Sequence, residues 1–117
     1  MTVAFYVFSA LLVVLTAGPA AMKFAGAQSM RDGAEHFGIP WPRYRLIGVL
    51  EVAAAIGAVA GIVWRPIGMA AAVGVVTLML GALYFHVRGG DGPAAIVGAM
   101  VVLLSAAGYL CVGVLSA

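Results

Sequence analysis

Apolar residues along this chain fall into four long blocks rather than into narrow stripes or alternating positions. The blocks are residues 3–22, 46–63, 67–85 and 94–115. Each is near the ~20 residues that an α-helix needs to cross ~30 Å of hydrocarbon. In lipid every backbone N–H and C=O must be satisfied within its own segment, so such blocks predict helices. Period-two alternation is absent, which argues against a membrane barrel. The pattern predicts an all-α, transmembrane four-helix bundle in one domain, residues 1–117, with helices at about 3–22, 44–63, 66–86 and 94–115. Trp64-Arg65-Pro66 is a very short turn, which makes the second and third helices an antiparallel hairpin, with Pro66 in the first turn of the latter. Arg88-Gly89-Gly90-Asp91-Gly92-Pro93 is a second turn rich in helix breakers.

The segment between the first two blocks, residues 24–43, holds most of the charge. Ser29 reads as a helix N-cap with Asp32 three residues on. Met30, Ala34 and Phe37 share one face, and Gly38 followed by Pro40 is a stop signal. These residues predict a short amphipathic helix lying on the membrane surface. Trp41 and Tyr44 are then expected at headgroup level. Pro19 predicts a kink near the end of the first helix. Lys23 reads as an end-anchor whose long stem snorkels to the interface. The first block is expected to be a membrane helix rather than a cleaved leader, because Met1-Thr2 carries no Lys or Arg and the apolar run outlasts a usual leader core.

Composition agrees with the pattern. Charged residues make up 9% of the chain, against about 25% in soluble domains, which excludes a water-soluble globule. The lipid bilayer is therefore the first expected partner. The six basic residues are spread over several turns and give no nucleic-acid footprint. Four spans put Lys23, Arg31, Arg43, Arg45 and Arg88 on one side of the membrane and Arg65 alone on the other. The positive-inside rule then places the long first loop in the cytoplasm and both termini outside. Cys111 is the single cysteine, so no dithiol chemistry within the chain is expected.

One carboxylate, Glu51, interrupts the second apolar block. It lies six residues beyond Arg45, roughly 9 Å deeper along a helix. Gly48, Ala54, Ala55 and Ala58 are on its side of the helix, so its face is expected to pack on protein. Ala53, Gly57 and Gly61 form a small-residue line, and with Gly48 they are the expected helix-packing positions. Gly68, Gly74 and Gly81 are expected to give close contacts on the next helix. Such lines also admit a homodimer. An ionisable group at this depth is a candidate functional site. Topology gathers Lys23, Arg45, Glu51, Tyr84, His86, Arg88 and Asp91 in the same half of the membrane, as candidates for a ligand pocket. Glu51 is then either protonated and neutral, or ionised and paired with Lys23 or His86. A bland alternative is that Lys23 and Glu51 only pin two helices together, and that His86 is a solvated end-cap residue. Nothing in the spacing of His36, His86, Glu51 and Asp91 demands a metal. Ser9, Ser29, Ser105 and Ser116 have no adjacent base and suggest no nucleophile.

Several of these residues also match a family pattern. They are Gly18 with Lys23-Phe24, Phe37-Gly38-Ile39-Pro40, and the run Leu46-Ile47-Gly48-Val49-Leu50-Glu51-Val52-Ala53-Ala54-Ala55-Ile56-Gly57. Further on, Leu80-Gly81-Ala82 with His86, Arg88 and Asp91 extend the match. In these features the chain resembles the DoxX-like family of small bacterial membrane proteins. The resemblance implies a four-helix bundle in the bacterial cytoplasmic membrane and a link to redox metabolism. Some members of the wider group look like subunits of thiosulfate:quinone oxidoreductase, and others look like membrane partners of oxidative-stress enzymes. The fold is similar to that of vitamin K epoxide reductase, but this chain lacks that enzyme's cysteines. The expectation is a redox-linked accessory subunit, or one that binds quinone or another lipid-soluble ligand, with a redox enzyme as partner. Two alternatives stay open. One is a proton-coupled exporter resembling the small multidrug resistance proteins, although their glutamate lies in helix 1. The other is a non-catalytic scaffold for a partner enzyme.

Overall fold

The computed structural model describes residues 2–115; Ser116 lies outside them. Five helices follow one another: α1 Val3–Ala25, α2 Gln28–Phe37, α3 Trp41–Ala60, α4 Arg65–Arg88 and α5 Pro93–Leu115. The described residues contain no strand. Three helices, α1, α4 and α5, are long and apolar enough to cross a membrane. The exception among the long helices is α3, which carries Arg43, Arg45 and Glu51 in its first eleven positions. The four long helices pack in a cycle: α1 on α3, α3 on α4, α4 on α5, and α5 back on α1.

Local chemistry sets the helix ends. The Thr2 hydroxyl accepts a hydrogen bond from the Phe5 N–H at 3.2 Å and starts α1. The helix then runs through Pro19 to Ala25, three residues past its predicted end. Gly26, at φ 68°, supplies the left-handed residue that stops it. Lys23 is therefore inside the helix rather than at its tip. The prediction of Ser29 as N-cap of α2 is also corrected. Met30 and Arg31 already donate their N–H groups to the Ala27 carbonyl, at 3.0 and 3.1 Å, so the helix opens at Gln28 with Ala27 before it. Gly38, at φ 70°, ends α2 where its Gly-x-Pro signal predicted. Pro40 then leads into α3, which both starts and ends three residues earlier than the predicted helix at 44–63.

The interior packs alanines around a few large side chains. Phe5, Leu12, Ala58, Ala72, Val75, Ala106 and Tyr109 form the buried core. Large apolar residues such as Val14, Leu46, Ile56, Val73 and Leu104 face outward. Water would penalise that surface, whereas hydrocarbon does not, and close approach of small residues is how helices associate in lipid. Three buried hydroxyls are satisfied within their own helices: Ser9, Thr16 and Ser105 donate to the carbonyls of Phe5, Leu12 and Val101, at 2.8, 2.6 and 2.8 Å.

The tightest crossing joins the α3–α4 hairpin near its turn. A Cβ on Gly61 would lie 2.6 Å from the Gly68 Cα, and one on Gly57 would lie 2.8 Å from the Ala71 Cβ. Neither distance is tolerable, so glycine is required at both. Ala53, expected in the same line, is exposed instead. Each four-residue step turns about 40° around a helix, which carries Ala53 off the contact. Gly74 and Gly81 were also expected to give close contacts, but a Cβ on either would meet nothing within 4 Å. At the same end of the molecule as this turn, Arg65 reaches across and donates to the Gly113 carbonyl at 3.3 Å.

Candidate functional site

The opposite end of the molecule gathers the polar groups. Lys23 and Glu51 face each other across the α1–α3 contact, Nζ to Oε1 2.8 Å, with side chains only 7% and 6% exposed. At that separation the ammonium and the carboxylate are at charge-assisted contact distance. The reading of Lys23 as a snorkelling end-anchor is thus overturned. Because α1 continues to Ala25, its register turns Lys23 inward. Gly48 makes room for the lysine stem: a Cβ there would lie 3.3 Å from the Lys23 Cβ. The ammonium also sits 5.2 Å above the centroid of the Tyr44 ring, an attraction that strengthens when water is excluded.

This pair lines a cavity of about 450 Å³ to which all five helices contribute. Pro19 comes from α1, Phe37 from α2, Tyr44 and Ile47 from α3, Phe85 and His86 from α4, and Ala99 from α5. Tyr44 was expected at headgroup level, yet it is partly buried and walls the cavity. The signal was present in the sequence: Tyr44, Gly48, Glu51, Ala55 and Ala58 recur at i, i+4, i+7, i+11 and i+14, one face of one helix.

His86 lines the same cavity but pairs elsewhere. Its Nδ1 is 2.5 Å from Asp91 Oδ2, and Asp91 Oδ1 is 2.6 Å from His36 Nε2. One carboxylate therefore ties the end of α4 to α2. Phe37 reinforces the tie, with its ring 5.4 Å from that of His86 and 5.7 Å from that of Phe85. Hydrogen bonding from His86, with a further contribution from His36, holds the Asp91 carboxyl below its ordinary value of 3.8. A carboxyl lowered in the folded state contributes stability that is present above about pH 4 and is lost as pH falls through the lowered value. Asp91→Asn should therefore speed amide exchange in α2 at pH 7 by roughly fivefold, the scale of one partly exposed hydrogen bond. The parent should match the variant only well below pH 4. Equal exchange in the two proteins at pH 7 would mean that Asp91 does not hold α2.

The remaining candidates lie outside the cavity. Tyr84 is 61% exposed. Arg45 lies over the Phe24 ring, 5.8 Å from its centroid. Arg88 lines a separate outer recess of about 280 Å³ with Glu35 and His36. No three His, Cys, Asp or Glu side chains among the described residues have metal-holding geometry. A larger space of about 900 Å³ lies along the outer side of α3 and α4 and contains no ionisable group.

Comparison with the curated proteins and with the solved structures gives no match. The family model described as DoxX-like family matches residues 7–108, a stretch that includes the Lys23–Glu51 pair, the cavity and part or all of every helix. An integral membrane protein with this helical framework and this match belongs to the DoxX-like family.

Proposed function

We propose that the protein is a membrane subunit that binds a lipid-soluble, quinone-like ligand in the cavity beside Lys23 and Glu51, as an accessory to a redox enzyme. The observation that carries this reading is a buried ion pair placed on the wall of a cavity. Separating charges from water is costly, and a pair that served only as a pin would do better packed on all sides. Here the Lys23 ammonium, the Glu51 carboxylate and the His86 imidazole line an otherwise largely apolar space, the usual make-up of a small-molecule site. In this proposal α3 is a fourth span, the first loop faces the cytoplasm and both termini lie outside.

The pairing weighs against a proton-coupled exporter. A glutamate that trades protons for cargo must be free to do so, whereas Glu51 is held by Lys23. The test is native mass spectrometry of protein released from mild detergent. The parent should retain an apolar ligand, and Glu51→Gln should lose it. The Lys23→Met/Glu51→Met double variant, which keeps side-chain volume, should also lose it while staying folded. Identical adducts in all three proteins would sink the ligand reading and leave the scaffold.

A further inference from the structure

The outer groove along α3 and α4 and the inner cavity are neighbours. Both are walled by Leu78 and Gly81. The groove is shut at one end, where Gly57 meets Ala71 and Gly61 meets Gly68. Toward the other end it runs past Gly74 to Gly81, where no atom would crowd an added Cβ. These glycines are not packing positions. They leave a trough where a side chain would otherwise stand. The groove faces outward and is almost wholly apolar, while the cavity behind it is lined by the buried Lys23–Glu51 pair.

The geometry points to a long-tailed amphiphile that enters sideways from the bilayer, its apolar tail lying in the α3–α4 groove and its uncharged, oxygen-bearing head in the cavity at Lys23 and Glu51. This inference rests on the ligand reading above and adds the tail, its path and the charge of the head. The head must be uncharged because Lys23 and Glu51 already neutralise each other, and a net charge brought into this space would go unpaired. A tailless molecule would leave the groove to lipid. A phospholipid would bring a phosphate that no unpaired cation in the cavity can receive.

The test compares two probes, a decyl-substituted benzoquinone and its tailless analogue, binding to the full chain in phosphatidylcholine nanodiscs. Gly74→Leu puts a side chain into the groove alone, since Gly74 does not line the cavity. Gly74→Ala serves as the folding control. Gly74→Leu should weaken the decyl probe at least tenfold and leave the tailless probe unchanged. If Gly74→Leu leaves decyl binding intact, the groove does not hold the tail, and the ligand reading survives. If Gly74→Leu weakens the decyl probe but the Lys23→Met/Glu51→Met variant binds both probes normally, the placement of the head is overturned together with the ligand reading. If neither probe binds the parent, both proposals fall.

Discussion

Lys23→Met alone should destabilise the protein by about 3–5 kcal/mol, the cost of leaving a buried carboxylate without its counter-charge. Glu51→Met should do similar harm, somewhat reduced because the stranded ammonium keeps the Tyr44 ring 5.2 Å away. The double variant removes both charges and fills the same volume. It should return to within about 1 kcal/mol of the parent or exceed it, since an ion pair taken out of water is often no better than well-packed apolar side chains. Denaturant unfolding in one detergent, on all four proteins, checks this. Single variants that each cost under about 1 kcal/mol would mean that water reaches the pair.

The second large effect is steric and lies at the other end. A Cβ on Gly68 would overlap the Tyr109 hydroxyl and sit 2.9 Å from the Gly61 Cα. Overpacking usually costs about 1–3 kcal/mol, and Gly68→Ala should reach the upper end because backbone blocks one side. The Tyr109 hydroxyl is buried and makes no hydrogen bond, so Tyr109→Phe should be nearly neutral by itself. In the Tyr109→Phe background, Gly68→Ala should lose about half of its penalty, because the hydroxyl is gone and the Gly61 backbone remains. An undiminished penalty would show that the Gly61 backbone alone sets the limit.

Much of the architecture was legible because lipid imposes simple rules. Long apolar blocks had to be helices, and Gly38 before Pro40 had to end one. The Lys23–Glu51 pairing was within reach, since one buried carboxylate needs a partner and few cations were near. What stayed hidden depended on register. Lys23 looked like a helix tip until Gly26, not Lys23, proved to stop α1. Ala53, Gly57 and Gly61 looked equivalent by spacing, but rotation along the helix turns Ala53 away from the crossing. Gly74 and Gly81 show the opposite error: a glycine marks either a close approach or a vacant space, and the two cannot be separated without the neighbouring helix. The Asp91 bridge was invisible because His36 and Asp91 are far apart in sequence and meet only after α2 folds back on α4.

The uneven charge of α3 also bears on how the chain is built. On the four-span reading, a helix with Arg43, Arg45 and Glu51 in its first eleven positions enters hydrocarbon poorly by itself, since a charge at the helix centre, where Glu51 stands, costs about 2.5–3.5 kcal/mol on insertion scales. By the time α3 leaves the ribosome, α1 is already made, and it carries the one ammonium that Glu51 meets. Membrane entry of α3 is then a joint event with α1, and a ribosome-arrested chain lacking Lys23 should leave α3 at the surface.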